Sequence, residues 1–172
     1  MEKVKLDRID RSILSDLQRE GRISNVELAR RAGITPPPCL RRVRALQKAG
    51  VIRGCHADIN PEALGFAVTV FAHVGLKSQA EHDLTAFEEM VQGWDEVREC
   101  HMLAGETDYL LKIVATDWDA YQRFVTTRLT AAPNVAHVKS ALAIRTSKAL
   151  PGVPTAVEAE RETAEPRLAA RR

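Results

Sequence analysis

Over the first fifty positions, apolar residues recur at the three- and four-residue spacing of helices. Leu6, Ile9, Ile13 and Leu17 fall on one face with Leu14 beside them, which predicts a helix over 6–20, ended by Gly21. Leu28, Ala29 and Ala32 make a shorter stripe behind Ser24. Ser24 and Glu27 have the S-x-x-E spacing of a capping box, in which each side chain serves backbone N–H groups that a helix start leaves open. Gly33 stands where a helix end takes a left-handed residue. Thr35 offers a second N-cap, and the prolines after it occupy first-turn positions that need no intrahelical N–H. Because Pro38 pushes Pro37 away from the α region, the third helix is expected to begin a residue or two late. Leu40, Val43, Leu46 and Cys39 then share its inner face, with Pro37, Pro38, Arg41, Arg44 and Lys48 opposite, until Gly50 stops it.

Two short helices joined by a tight turn, with a third to pack against, read as a helix-turn-helix. An arginine-bearing side opposite a buried side suits the major groove, where guanidinium groups pair with guanine edges or neutralise phosphates. A merely solvated basic face is the plainer alternative, and the turn and capping box weigh against it. Residues 51–59 (VIRGCHADI) form a β-prone run broken by Gly54, which predicts a short two-stranded wing with Arg53 and His56 at its surface.

The period then changes. Residues 61–65 punctuate the chain as a hinge, followed by a strand at 66–76, a helix at 81–92, strands at 97–103 and 109–115, a helix at 118–130 capped by Asp117, and a strand at 135–144. The order β-α-β-β-α-β is the ferredoxin-like arrangement. The expected fold is therefore α+β, with a winged helix-turn-helix over 1–60 and a ferredoxin-like domain over 66–148. Two helices cover one face of four strands, yet the first and third strands are apolar at nearly every position. The uncovered face, assigned from among Phe66, Val68, Val70, Ala72, Leu111 and Ile113, is expected to meet a second copy in a symmetric dimer. Such a dimer would carry two recognition helices to two half-sites. Residues 149–172 hold Pro151, Pro154 and Pro166 with few large apolar side chains, and read as a disordered tail, a short helix at 155–164 being the alternative.

Charge sharpens this division. The net charge of +2 hides a basic N-terminal part, with 13 Lys or Arg against 7 Asp or Glu over 1–60, and an acidic one, with 8 against 12 over 61–150. Only the first part is suited to a polyanion. Nothing approaches the run of about 18 apolar residues that crosses a bilayer, and the first ten residues lack the apolar core of a signal peptide. The three scattered cysteines (Cys39, Cys55 and Cys100) are no disulfide framework, so free thiols and a cytoplasmic setting are expected.

Candidate chemistry is sparse. Cys55-His56 and Cys100-His101 are adjacent pairs without metal-ligand spacing, and strand neighbours point to opposite faces, so no metal, cofactor or enzymatic activity is expected. The turn between the second and third strands, through Gly105, Glu106, Thr107 and Asp108, reads either as a plain hairpin or as a site for a zwitterion. In the second reading Asp108 takes an ammonium group and amides near Gly105 take a carboxylate.

LDRIDRSIL, GRISNVELARRAGIT, PPPCLRRVRALQKAGVI, DINPEALG and ECHMLAGETDYLLK, with the final strand, resemble the leucine-responsive regulator/asparagine-regulator (Lrp/AsnC) family, in its leucine-responsive branch. The resemblance spans about 6–147. It implies a transcriptional regulator that binds double-stranded DNA, assembles with itself into dimers and then tetramers or octamers, and responds to a small amino acid bound between dimers. A nucleoid-associated protein that wraps DNA with little ligand dependence is the alternative within the same family. Carried over by position, DNA contacts fall on Asn25, Thr35, Pro37, Arg41, Arg42 and Arg44. Effector contacts fall on Met102, Ala104, Gly105, Glu106, Thr107, Asp108 and Trp118, with Ala136 and His137. The chain departs from the family's pattern at Cys55, where Tyr is frequent, at Thr107, where an aromatic is common, and in its tail.

Overall fold

The computed structural model describes residues 4–155. The chain forms two compact units, one up to Asp58 joined by the stretch that begins at Ala149, and one from Ile59 to Lys148.

In the first unit three helices, α1 (Arg8–Arg19), α2 (Asn25–Arg31) and α3 (Pro36–Lys48), enclose Ile13, Leu28, Ala29, Cys39 and Leu46. Leu6, Ile9, Leu14, Leu17, Val43, Val51 and Ile52 pack around that centre. The reciprocal capping box belongs to α1: Asp7 Oδ1 accepts from Asp10 N at 2.8 Å, and Asp7 N donates to Asp10 Oδ2 at 3.2 Å. At α2 only half of the expected box forms. Ser24 Oγ accepts from Glu27 N at 3.2 Å, while the Glu27 carboxylate goes to Arg30 and Arg31 instead. Gly33 and Gly50 follow α2 and α3 in the left-handed region, at φ 70° and 69°.

The third helix does not begin late. It starts at Pro36, and the prolines fill its first turn because those positions need no intrahelical donor. Thr35 takes the N-cap position but makes no capping bond, since the three residues after it have no N–H to offer. The inner face also differs from the expectation at one residue: Cys39 and Leu46 are buried, whereas Leu40 is 39% exposed. The β wing is absent from the described residues as strands, with 51–60 carrying neither helix nor strand. The amides of Val51 and Ile52 both turn back to the Leu46 carbonyl, at 3.0 and 3.2 Å, and their side chains join the core. What remains has no strand to pair with, and an isolated hairpin is marginal in water. Of the expected tail, 149–155 carries no helix or strand, and Val153 exchanges two hydrogen bonds with the Gln18 side chain, at 2.7 and 3.0 Å. The rest of the expected disordered tail (149–172), and the alternative helix at 155–164 beyond its first residue, lie outside the described residues.

The second unit opens with a 3-10 turn, Glu62–Leu64, closed by Gly65 at φ 83°. Its antiparallel sheet comprises β1 (Val68–Leu76), β2 (Val97–Met102), β3 (Tyr109–Ala115) and β4 (Val135–Leu142), in the order β2-β3-β1-β4. The helices are α4 (Glu81–Gln92) and α5 (Trp118–Phe124), the latter widening into a π-helical turn over Val125–Leu129. The hydroxyls of Thr126, Thr127 and Thr130 take carbonyls on the preceding turn, competition of a kind that loosens α-helical pairing. This is the expected βαββαβ order.

The assignment of sheet faces is corrected. Val70, Ala72, Leu111 and Ile113, four of the six candidates for the open face, lie instead under the helices at 1% exposure or less. They form one core with Phe87, Trp94, Tyr109, Tyr121 and Phe124. Tyr109 Oη donates to Glu88 Oε1 at 2.9 Å, and the Tyr121 and Ser140 hydroxyls bond across the sheet's covered face. Phe66 is 37% exposed and precedes the strand, and Val68 packs partly against the core. The register places the opposite set (Phe71, His73, Leu110, Lys112, Val114, Lys139) on the open face. Phe71, Leu110 and Val114 there are half-buried, so this face is mixed rather than uniformly apolar.

Truncating Ile13, which is fully enclosed, to Ala is expected to cost about 2–5 kcal/mol. Val26→Ala, at a site 67% exposed, should stay within about 0.5 kcal/mol. Urea unfolding followed by circular dichroism checks both.

Candidate DNA interface and effector loop

The outward side of α3 carries Pro37, Leu40, Arg41, Arg44 and Lys48, all exposed. Several other basic side chains of the first unit are already neutralised, although Lys5, Arg8, Arg11, Arg22 and Arg53 form no ion pair among the described residues. Glu27 holds Arg30 through two bonds of 2.7 Å and Arg31 at 2.8 Å. Arg31 also reaches Glu20 at 2.9 Å, and Arg19 pairs with the buried carboxylate of Asp16 at 3.2 Å. By contrast, none of the ion pairs among the described residues involves Arg41, Arg44 or Lys48. Three cations are left to one side of one helix, which is where a polyanion finds uncompensated charge.

Two of the six residues carried over as DNA contacts have internal work. Arg42 Nη1 donates to Asp7 Oδ2 at 2.7 Å and Asp10 Oδ1 at 2.8 Å, so its guanidinium clamps α3 to the capped start of α1. The capping N–H of Asp10, together with Arg42, holds the Asp7 carboxyl below its usual range. Asn25 Nδ2 donates to the Pro36 carbonyl at 2.9 Å and braces the turn between α2 and α3, leaving its buried Oδ1 without a partner among the described residues. Thr35, Pro37, Arg41 and Arg44 stay exposed.

In the second unit the loop between β2 and β3 is pinned to the end of β1. Leu103 N donates to Asp108 O at 2.8 Å and Asp108 N to Val74 O at 3.0 Å, while Leu76 N donates to Asp108 Oδ2 at 2.6 Å. One carboxylate oxygen of Asp108 therefore serves the strand. The Thr107 hydroxyl, 8% exposed, lies 3.4 Å from His73 Nδ1. Around this loop is a cavity of about 420 Å³ lined by His73, Leu103, Ala104, Gly105, Glu106, Thr107 and Lys139. That volume suits a small ligand.

Ala104, Gly105, Glu106 and Thr107 thus line the cavity, with Asp108 anchoring its rim. Within one chain four other carried-over residues do not line it. Met102 lines a separate groove beside α4, and Trp118 stacks on Tyr121 with ring centres 5.2 Å apart. Ala136 and His137 follow Val135 at the start of β4, where the His137 ring fills space that a Cβ at Gly75 would need. His73 and Lys139 were not anticipated. They face each other across β1 and β4, a pairing that only the register reveals. Cys100 is an exposed residue, but desolvation by the groove beside α4 raises its thiol to about 11, which makes it a poor nucleophile. Among the described residues there is no cluster of His, Cys, Asp and Glu able to hold a metal, and no helix long and apolar enough to cross a membrane.

Comparison with known proteins settles the kinship. Residues 69–153 match the Lrp/AsnC ligand binding domain, and residues 6–53 match a winged helix-turn-helix DNA-binding domain. The chain belongs to the Lrp/AsnC family. A leucine-responsive regulatory protein of Rhizobium meliloti (strain 1021) is 51% identical over 146 residues, covering 85% of this chain and 94% of that one. One from Escherichia coli (strain K12) is 45% identical over 130 residues, covering 76% and 79%. Among solved structures, a Neisseria meningitidis transcriptional regulator in complex with L-methionine superposes with a TM-score of 0.83 at 36% identity, covering 87% of this chain and 97% of that one. An AsnC family regulator from Agrobacterium tumefaciens gives 0.81 at 34% identity, with the same coverage. This member of the family is a DNA-binding transcriptional regulator with a ligand-binding domain, and its relatives are regulators rather than enzymes.

The bonds from Arg30 and Arg31 lower the Glu27 carboxyl from 4.5 to about 2. A depressed carboxyl contributes stability above its unfolded value and loses it as pH falls through the folded one. Glu27→Gln should therefore be less stable than the parent at pH 7, with the gap narrowing below about 4.5 and closing near 2. Urea midpoints of the two proteins across that range provide the measurement.

Proposed function

We propose that this regulator binds duplex DNA in a sequence-specific way through α3, and that a small apolar amino acid held at the 103–108 loop modulates that binding. The observation that carries the first half is the set of outward cations on α3, Arg41, Arg44 and Lys48, which have no carboxylate partner among the described residues. Arg41 and Arg44 take base edges or phosphates, and the Thr35 hydroxyl, idle as a cap, takes a phosphate oxygen. Arg42 and Asn25 contribute by holding the helices in place rather than by touching DNA.

The second half rests on the loop cavity. Lys139 offers a cation for an α-carboxylate, and Glu106 with the second oxygen of Asp108 offers anions for an α-ammonium. Leu103 supplies an apolar wall. Relatives named leucine-responsive, and a relative solved with L-methionine, support an apolar side chain on the effector. Met102, Trp118, Ala136 and His137 reach such a ligand from a neighbouring copy, not from the same chain. Two copies meet through the open sheet face, where Phe71, Leu110 and Val114 lie among Lys112, His73 and Lys139. A coupling of about 1–3 kcal/mol between ligand and assembly suffices to change how many half-sites one particle occupies. An architectural protein that wraps DNA in the nucleoid without heeding ligand is the competing reading.

A thermal-shift screen of the twenty amino acids on the full chain, followed by titration of the best one against an operator complex, separates the two. The regulator reading expects a raised Tm and altered operator affinity. No shift and no change in affinity would favour the architectural role. Arg41→Ala should weaken operator binding about 5- to 150-fold and flatten base preference. Asp108→Asn keeps an acceptor for the Leu76 amide while removing the charge. It should leave DNA affinity intact and abolish the response to amino acid, and an unchanged response would remove the loop as the site.

A further inference from the structure

The DNA-reading surface is not uniformly basic. Its N-terminal end is carbon. Pro36, Pro37 and Pro38 occupy the first three helical positions, so the end of the helix that conventionally approaches base edges has no backbone donor there. The next amide, that of Cys39, is committed to the Thr35 carbonyl at 3.3 Å. Leu40, a large apolar side chain that the helical pattern assigns to the core, is 39% exposed instead. In projection it lies about 60° from Pro37 and about 40° from Arg44, so Pro37, Leu40 and Arg44 form one ridge. Arg41 and Lys48 continue the cationic surface beside it, with no carboxylate partner among the described residues.

An apolar ridge set among uncompensated cations has a specific complement. The duplex supplies negative charge along the backbone, and the apolar group on its major-groove base edges is the C5-methyl of thymine. We propose that Pro37 and Leu40 select thymine by its methyl group, next to the base or phosphate taken by Arg41 and Arg44. This rests on the reading of α3 as the DNA-contacting helix and adds what it reads. Half-site preference at that position then comes from hydrophobic contact, because neither side chain has a hydrogen-bonding group. Deleting one buried methyl corresponds to about a fourfold loss of affinity.

The test uses the full chain and a duplex selected by it from a random-sequence pool at fixed salt. The selected duplex is resynthesised with deoxyuridine replacing each thymine in turn, which removes only the methyl. Binding is expected to weaken about fourfold at one or two thymines in each half-site and to stay unchanged at the others. Leu40→Ala should clearly narrow the difference between the thymine and uracil forms, since only Pro37 then remains against the methyl, while Leu40→Met restores it. Circular dichroism checks that both variants fold, as the exposure of Leu40 leads one to expect. Tolerance of deoxyuridine at every thymine, or full thymine dependence in Leu40→Ala, overturns the proposal. A protein that binds a selected duplex yet ignores its methyls loses only this inference. One that binds no duplex even at low salt loses the DNA reading of α3, and this inference with it.

Discussion

The rotation of α3 about its own axis is the constraint on which the exposed cationic surface of the first unit depends. Burial of Cys39 and Leu46 sets that rotation, and the clamp of Arg42 between Asp7 and Asp10 locks it against α1. A helix turned by one residue would bring Leu40 inward and carry Arg42 out. The aspartates that cap α1 would then lose their cation. Capping, core packing and the choice of exposed side chains are thus three consequences of one geometry. The acids of α1 and α2 absorb Arg19, Arg30, Arg31 and Arg42, while Arg41, Arg44 and Lys48 are left together on the outward side of α3.

The second unit is organised by the parity of its central strand. With Val70, Ala72 and Val74 turned to the helices, Phe71 and His73 must face the other way. The covered face closes on an aromatic cluster in which Phe87 meets Tyr109 at 4.8 Å and Trp94 meets Phe124 at 5.4 Å. The open face keeps a few apolar side chains among lysines and histidines. Such a surface suits association between copies that remains sensitive to what binds at its margin. His73 and Lys139 belong to that face and to the loop cavity at once, so under the proposed function a ligand there would touch the same side chains as a second copy. Asp108, bonded to Leu76, Val74 and Leu103, ties the loop to the end of β1.

Much was fixed by local chemistry that a single sequence displays. The 3.6-residue stripes located three helices, and Gly33 and Gly50 ended two of them. The switch to strand patterning located the ferredoxin-like order, with α4 (Glu81–Gln92) and β3 (Tyr109–Ala115) falling where the pattern put them. These features are legible because each depends on neighbours a few positions away. The parity of the open face was legible too, in Thr69, His73 and Lys112, although apolar residues on both parities of β1 masked it.

Other features were decided only when distant segments met. Val51 and Ile52 have strand-forming side chains, but the core of the first unit took them and no partner strand was at hand. Leu40 fits an inner stripe on a helical projection, yet Cys39 and Leu46 filled that side first. The helical projection turns Arg41 outward, but it does not say what Arg42 meets, and only the approach of α1 made Arg42 a clamp. His73 and Lys139 are 66 positions apart, joined by a register that no local pattern encodes. Sequence set which elements form, because propensity and capping act over a turn or two. Tertiary packing set which side chains are spent and which remain to act, because an ion pair or a cavity needs both of its sides.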